Sequence, residues 1–373
     1  MVVAMQRQWG EAPWRGEEVA TRPLESSVPD VAVVGGGFTG ASAAYHLARR
    51  GLQVVLLEAD RIGNGASGRT GGLVLEGTAR GILEGTEACV PGLERVVREA
   101  RIDCKLRLDG CWEIAHRAAP TERDALPWRD GGSPISIANT VAGGTVEPMA
   151  LLTGLARAAA GAGAVIHEYV RVSRIVPGER AVVEVDGAAI QARFVVVALN
   201  AWMADLLPAP PPMQSALTIA CATMKLDSER LQEIGLAGGI PFYTIDTPYL
   251  WGRLVGDGRI IFGAGLAFGS PDELERLDLD VPEVRSQFTR LEARVRGLNP
   301  ALKHVDFSAR WAGPIVFTDD MRPILGRLPD APRIFVAGAY AGHGVALSVK
   351  AGEMIALAIA EDRQLPAWGS PVR

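Results

Sequence analysis

The hexapeptide Gly35-Gly36-Gly37-Phe38-Thr39-Gly40 carries the most definite chemistry in this 373-residue chain. Gly35, Gly37 and Gly40 match the spacing G-x-G-x-x-G, and each glycine has its own physical task. Gly35 permits a tight turn, Gly37 lets a pyrophosphate approach the backbone, and Gly40 lets a helix pack against a strand. Phe38 and Thr39 bring free backbone N–H groups to that helix N-terminus, where the dipole also favours phosphate charge. Glu58, followed by Ala59, lies about 20 residues further on, where a carboxylate accepts from ribose hydroxyls. This chemistry needs a strand before the glycines, a helix after them and a second strand ending at the acid. Val31–Val34 is an uninterrupted apolar run, Ala41–Arg50 reads as a helix stopped by Gly51, and Val54–Leu57 is apolar again. The three form a right-handed βαβ unit. They define a dinucleotide site without separating NAD from FAD.

A second glycine turn, Gly342-His343-Gly344-Val345, opens a helix running to about Ala360. His343 there is either a hydrogen-bond donor or an ordinary structural histidine. Phe242, Tyr243, Tyr249, Trp251, Arg253, Trp311 and Tyr340 could wall a substrate pocket. Odd spacing puts Tyr249, Trp251 and Arg253 on one face of a strand. Aromatic walls suit a flat or alkyl amine, and Arg253 could pair a carboxylate. Core aromatics with a surface arginine would give the same pattern.

Bulk properties exclude several classes. The net charge is -5, with lysine and arginine scattered, so nucleic acid is not an expected partner. Cys89, Cys104, Cys111 and Cys221 show no metal spacing, and the histidines form no ligand cluster, so no metal is expected. The cysteines read as reduced thiols in a cytoplasmic protein. Residues 1–29 are polar, with Trp9 and Trp14, and suit an extended arm better than a targeting segment. No run of 18 apolar residues exists, so no membrane span is expected. The oligomeric state stays open.

The remaining chain alternates two kinds of element. Asp60–Gly77 is an irregular loop of functional length. Helices are expected at Glu87–Ala100, Glu147–Ala162 and Asp280–Val295. Leu106–His116 reads as a strand region, and Arg117–Thr140 resists assignment. Val165–Val176 and Ala181–Val185 alternate like antiparallel strands. Phe194–Leu199 and Ile334–Ala337 are buried apolar runs, and Ala216–Gly265 is mostly β. The fold class is therefore α/β (α+β). A Rossmann-like nucleotide-binding domain is assembled from 30–105, 147–215 and 305–362, with a mostly antiparallel β substrate domain inserted from 106–146 and 216–304.

Four blocks resemble the D-amino acid oxidase-like superfamily of FAD-dependent oxidoreductases, the group of glycine oxidase, sarcosine oxidase and gamma-glutamylputrescine oxidase. They are VAVVGGGFTGASAAYHLARRGLQVVLLEAD, GASGRTGG, FVVVALNAW, and WAGPIVFTDDMRPILGRLP with FVAGAYAGHGVALSVKAGEMIA. The SGR-x-GG run is most similar to gamma-glutamylputrescine oxidase-type members, and the N-terminal arm also resembles theirs. The resemblance implies a glutathione reductase/D-amino acid oxidase-like fold with FAD as cofactor. It implies that Ser67, Gly68, Arg69, Thr70, Gly71 and Gly72 wrap the flavin and pyrophosphate, with Arg69 supplying positive charge. It implies cofactor contacts at Val172, Ala198, Asn200, Trp202 and Gly313. It also sets Gly342, His343, Gly344 and Val345 at the pyrimidine side of the flavin, where a helix dipole stabilises the charge of reduction. Tyr249, Trp251 and Arg253 would line the substrate cavity.

Three departures from the family follow, one of which is that Arg117–Thr140 is short where the family places helices over the substrate side. No cysteine lies near Trp311–Arg322, so non-covalent FAD is expected. Ile260, Ile261 and Phe262 occupy the strand where sarcosine oxidase-type members carry a lysine near the flavin. The expected activity is oxidation of the C–N bond of a small-molecule amine or amino acid. Hydride passes to flavin, the imine hydrolyses, and O2 or another electron acceptor restores FAD. Hydroxy-acid oxidation on the same cofactor, or cofactor binding without catalysis, are the alternatives.

Overall fold

The computed structural model describes residues 8–24, 27–207 and 212–372. Parts of the expected arm (1–7 and 25–26) and residues 208–211 lie outside the described residues. A six-stranded sheet runs in the spatial order Ile324–Leu328, Ala331–Gly338, Phe194–Val197, Val31–Val34, Val54–Leu57, Val165–His167. Its pairings are parallel except for the antiparallel edge strand Ile324–Leu328. The central strands are continuous apolar runs because both faces are covered. Val31, Val33 and Leu56 pack against helices, whereas Ala32, Val34, Val55 and Leu57 pack against a three-stranded antiparallel sheet of Val172–Val176, Ala181–Val185 and Ala188–Ala192. Each fully buried Leu or Phe in these layers, such as Leu56 or Phe335, contributes about 1.5–3 kcal/mol.

Helices Phe38–Ala48 and Gly344–Ala360 lie in close contact on one face. Small residues allow it: a Cβ on Gly352 would come within 2.6 Å of the Ala43 backbone nitrogen, and the Ser42 hydroxyl donates to the Val349 carbonyl (2.7 Å). The first helix begins at Phe38, one turn earlier than composition suggests, because Gly37 is its N-cap.

A second sheet has eight strands in the order Phe307–Thr318, Met213–Thr223, Ile260–Phe268, Trp251–Leu254, Phe242–Thr244, Cys111–Ala115, Ser133–Val141, Ala125–Asp130. It is antiparallel but for the pairing of Phe242–Thr244 with Cys111–Ala115. Helix Pro282–Leu298 covers one face through Val284, Phe288, Leu291 and Val295, over a core holding Trp128, Phe242 and Phe262. The architecture is the expected α/β fold with a mostly antiparallel β partner.

Several local expectations need correction. Val165–His167 joins the parallel sheet, whereas Val172–Val176 and Ala181–Val185 pair antiparallel as expected. Phe307–Thr318, expected within the nucleotide-binding segments, is an edge of the eight-stranded sheet. Arg117–Thr140 contains a hairpin, closed by Gly131 and Gly132, both at positive φ, as a two-residue turn requires. Ala216–Gly265 also includes the helix Ser228–Ile234, capped by the Asp227 side chain.

The described part of the N-terminal arm is threaded into the molecule. Trp9 is fully buried and donates from Nε1 to the Leu274 carbonyl (2.8 Å), while Ala312 N donates to the Trp9 carbonyl (2.8 Å). Trp14 donates from Nε1 to the Gly68 carbonyl (2.7 Å) and stands edge-on to Trp311.

Candidate active site

The first strand ends at Val34, and Gly35 turns the chain with φ +105°. A Cβ on Gly40 would fall onto the Gly35 carbonyl oxygen, and one on Gly35 would sit 2.6 Å from the Ala198 oxygen. Both glycines lie beneath the turn and out of the cavity, where they let strand, turn and helix close up. The Phe38 N–H donates to the Ser67 hydroxyl (3.0 Å), which thereby stands at the helix N-terminus. Glu58 accepts from Gly36 N (2.8 Å) and Asp60 N (3.0 Å), so its carboxylate is drawn against the glycine turn. Ala59 is half-buried beside it.

From this turn a cavity of about 920 Å³ runs to the second glycine turn, Gly342–Val345. That volume is at the upper end for small-molecule sites. Gly37, Phe38, Thr39, Ser67, Arg69, Thr70, Gly71, Ala198, Asn200, Gly313, Gly342, His343, Gly344 and Val345 all line it, with Tyr249 and Trp251 further along. Two helix N-termini therefore open on one space. The Tyr340 and Thr39 hydroxyls, 2.7 Å apart, link them. Asn200 holds the second turn in place by accepting from Ala339 N (2.9 Å). His343 is the N-cap of the helix Gly344–Ala360, and burial pushes its imidazole below the ordinary value, which favours the neutral form.

Gly68, Gly72, Val172 and Trp202 lie behind the wall. Gly68 and Gly72 shape the loop: a Cβ on either would collide with a backbone carbonyl, of Gly63 and Val146 respectively. Val172 begins a strand of the small sheet, and Trp202 stacks on Trp9 with ring centres 6.3 Å apart. Phe242 is core, edge-on to Trp128, rather than pocket. Trp311 lines the cavity and donates from Nε1 to the Arg69 carbonyl (2.9 Å).

Two arginines do not act as their types suggested. Arg69 borders the cavity, but its guanidinium turns to the arm. It donates to the Gly10 carbonyl (2.6 Å) and the Asn64 side chain (3.2 Å), and lies over the Trp9 ring. Arg253 is 3% exposed and outside the cavity. It donates to the Gly71 carbonyl (2.5 Å) and to Glu147 (3.1 Å), and lies over the Trp14 ring. Strand alternation does put Arg253 on the face of Trp251. However, the loop 68–72 and the arm cross over that end of the strand and cover it. Tyr249 precedes the strand, in an exposed loop at the cavity. The Trp251 indole fills a slot between Gly71 and Gly263, where a Cβ on either glycine would overlap the ring.

The far end of the cavity is walled by Thr218, Ala220, Tyr243, Asp246, Leu266 and Arg294, among others. Sequence reasoning passed over Thr218, Ala220, Asp246 and Arg294. Small residues at alternate positions of Met213–Thr223 were the available signal for the first two. Nothing in the sequence joins Asp246 to Arg294. Burial, together with the bond its hydroxyl donates to Glu113 (2.7 Å), pushes the Tyr243 phenol well above the ordinary range.

The family model described as FAD dependent oxidoreductase matches residues 30–358. The chain belongs to this family. Gamma-glutamylputrescine oxidoreductase of Escherichia coli (strain K12) is 32% identical over 89% of this chain and 84% of its own length. Glycine oxidase of Geobacillus kaustophilus is 26% identical over 88% of this chain and 92% of its own length. The crystal structure of the Geobacillus kaustophilus glycine oxidase superposes with a TM-score of 0.75 at 22% identity, over 93% of this chain and 99% of that one. This FAD dependent oxidoreductase thus has FAD as its cofactor, and its residues fit the group. Gly37 presents no Cβ to the cavity, two helix N-termini supply donors and positive potential, and the cavity joins them. No helix among the described residues is long and apolar enough to cross a membrane.

Proposed function

We propose that this flavoenzyme oxidises the C–N bond of a small amine or amino acid. The observation that carries the reading is the continuity of the cavity. One end joins the glycine cradle to the helix Gly344–Ala360, and the other is walled by Tyr249, Trp251, Leu266 and Thr218. The relatives named gamma-glutamylputrescine oxidoreductase and glycine oxidase support this substrate class. FAD, when bound, supplies the acceptor for a hydride from the carbon next to nitrogen. Gly37, Phe38, Thr39 and Ser67 would hold its phosphates, Glu58 its ribose, and Gly342–Val345 its pyrimidine side. Thr70 and Gly71, with Trp251 fixed in its glycine slot, would position ring and substrate face to face. Neutral His343 and the helix N-terminus would stabilise negative charge arriving there.

Of the proton acceptors lining the cavity, Asp246 is engaged by the His116 ring and backbone, and His343 caps the helix Gly344–Ala360, so the amine would bind deprotonated and the enzyme would act by positioning and electrostatics. Water then hydrolyses the imine to a carbonyl compound and an amine or ammonia, and O2 or another acceptor completes the cycle. None of the four cysteines, all buried, lines the cavity, which supports non-covalent FAD. These free thiols also support a cytoplasmic location. Anaerobic reduction of the bound flavin by a panel of amines, amino acids and 2-hydroxy acids tests the reading. Bleaching by amines or amino acids is expected. Bleaching by hydroxy acids alone would overturn it.

A further inference from the structure

The segment Thr244–Leu250 joins two strands of the eight-stranded sheet and brings Asp246, Thr247, Pro248 and Tyr249 to the substrate end of the cavity. Its base is closed by Thr244 N donating to the Leu250 carbonyl (2.8 Å) and Leu250 N donating to the Thr244 hydroxyl (2.9 Å). Beyond that base its two large apolar side chains are only half covered: Ile245 and Tyr249 are each 51% exposed. Half-covered side chains hold such a loop weakly, so polar contacts carry much of its placement.

Those contacts converge from three other elements. Arg294, on the helix Pro282–Leu298, donates from Nη1 to the Tyr249 carbonyl (2.6 Å) and from Nη2 to the Pro248 carbonyl (2.7 Å). The same guanidinium grips Asp130, at the tip of the hairpin, from Nε (2.9 Å) and Nη2 (2.6 Å). His116, just after Cys111–Ala115, bridges Asp130 through Nε2 (2.8 Å) and Asp246 through Nδ1 (2.6 Å). Its backbone N–H also donates to Asp246 (2.8 Å). His116, Asp130 and Arg294 are nearly covered, with side-chain exposures of 12%, 9% and 15%. Charge-assisted bonds in such a setting are among the stronger ones.

We propose that Arg294 and His116 are positioning residues for the oxidation: through Asp130 and Asp246 they clamp the Thr244–Leu250 loop, and with it the wall of the substrate site. The geometry makes the clamp pH-dependent. Protonated His116 offers an N–H to each carboxylate. Neutral imidazole has one N–H, so one carboxylate then faces a lone pair. The charged groups around His116 are Asp130 from the hairpin, Asp246 from the loop and, beyond Asp130, Arg294 from the helix. Burial opposes protonation, but the bonds to the two carboxylates prevail and raise His116 above its ordinary value. The clamp is thus complete in mildly acidic solution and weakens as pH rises through that raised value.

The experiment uses the full chain loaded with FAD and has two arms. In the first, chymotrypsin cleavage at Tyr249 is timed from pH 6 to 9 in the wild type, Arg294→Met, Arg294→Lys and His116→Gln, each rate divided by that of a denatured control. Cleavage is expected to rise tenfold or more in Arg294→Met at every pH, less in Arg294→Lys, and with pH only in chains that keep His116. In the second, anaerobic flavin reduction gives the half-saturating amine concentration. This should rise tenfold or more in Arg294→Met, with the flavin content and visible spectrum unchanged. The wild-type-to-His116→Gln ratio cancels titration of the amine itself, and this ratio should depend on pH. Wild-type cleavage rates and half-saturation in Arg294→Met would overturn the proposal. The second arm rests on the amine-oxidation reading, but the first does not. A panel without any reducing amine would therefore defeat that reading while the cleavage arm still decides the clamp.

Discussion

Replacing Arg253 by methionine separates a structural role from recognition of a substrate carboxylate. The substitution keeps much of the aliphatic volume and removes the guanidinium. Two partners then lose their donor. Glu147 is 22% exposed, so part of its charge is recovered by water, while the Gly71 carbonyl loses a buried donor. Breaking a buried ion pair by removing one partner costs about 3–5 kcal/mol. Partial exposure of Glu147 moves the expectation to the lower end, about 3 kcal/mol. In a chain of this size, that corresponds to a loss of roughly 6 °C in Tm, at about 2 °C per kcal/mol. Burial lowers the Arg253 pKa and Glu147 opposes that shift, but a guanidinium stays charged at all working pH, so the loss should be flat between pH 6 and 9. Urea unfolding followed by tryptophan fluorescence, together with calorimetry of the FAD-loaded protein, measures it. A second variant, Glu147→Gln, should cost less, because its amide oxygen still accepts from the guanidinium. The reasoning is refuted if Arg253→Met unfolds at the wild-type midpoint and instead weakens only substrates bearing a carboxylate.

Gly40→Ala should abolish FAD retention while leaving far-UV ellipticity largely intact, as judged by the flavin-to-protein absorbance ratio, since its Cβ would fall on the Gly35 carbonyl. Gly263→Ala should displace the Trp251 indole. Loss of at least tenfold in flavin-reduction rate is expected, with FAD still bound, and an unchanged rate would mean that the ring has another place to go. His46, buried in the first helix, is held down to about 4, chiefly by burial. Because the unfolded chain takes up this proton first, stability should decline as pH falls from about 6.5 towards 4, by on the order of 3 kcal/mol. His46→Phe should flatten that slope in denaturant titrations at stepped pH. Trp14→Ala should cost about 3–5 kcal/mol, as for other buried tryptophans, and show as an earlier melting transition.

The βαβ unit and its glycine turn were legible in the sequence because local rules determine them. Apolar runs covered on both faces, a glycine forced to φ +105° at Gly35 and an acid ending the second strand all act within one short segment. The same holds for Gly342–Val345, where a helix must begin after a turn. Tertiary structure alone decided the rest. The hairpin Ala125–Asp130/Ser133–Val141 was hidden because Pro127 and Pro134 break the strand pattern. Pro127 is tolerated because its strand is the sheet edge. Arg69, Arg253 and Arg294 carry similar side chains in similarly mixed surroundings, yet they serve the arm, a buried ion pair and a cavity loop respectively. A long guanidinium takes the acceptors that distant chain segments bring within reach. Those acceptors are Gly10, Glu147 and Tyr249, residues far away in sequence, which only the folded chain places beside them.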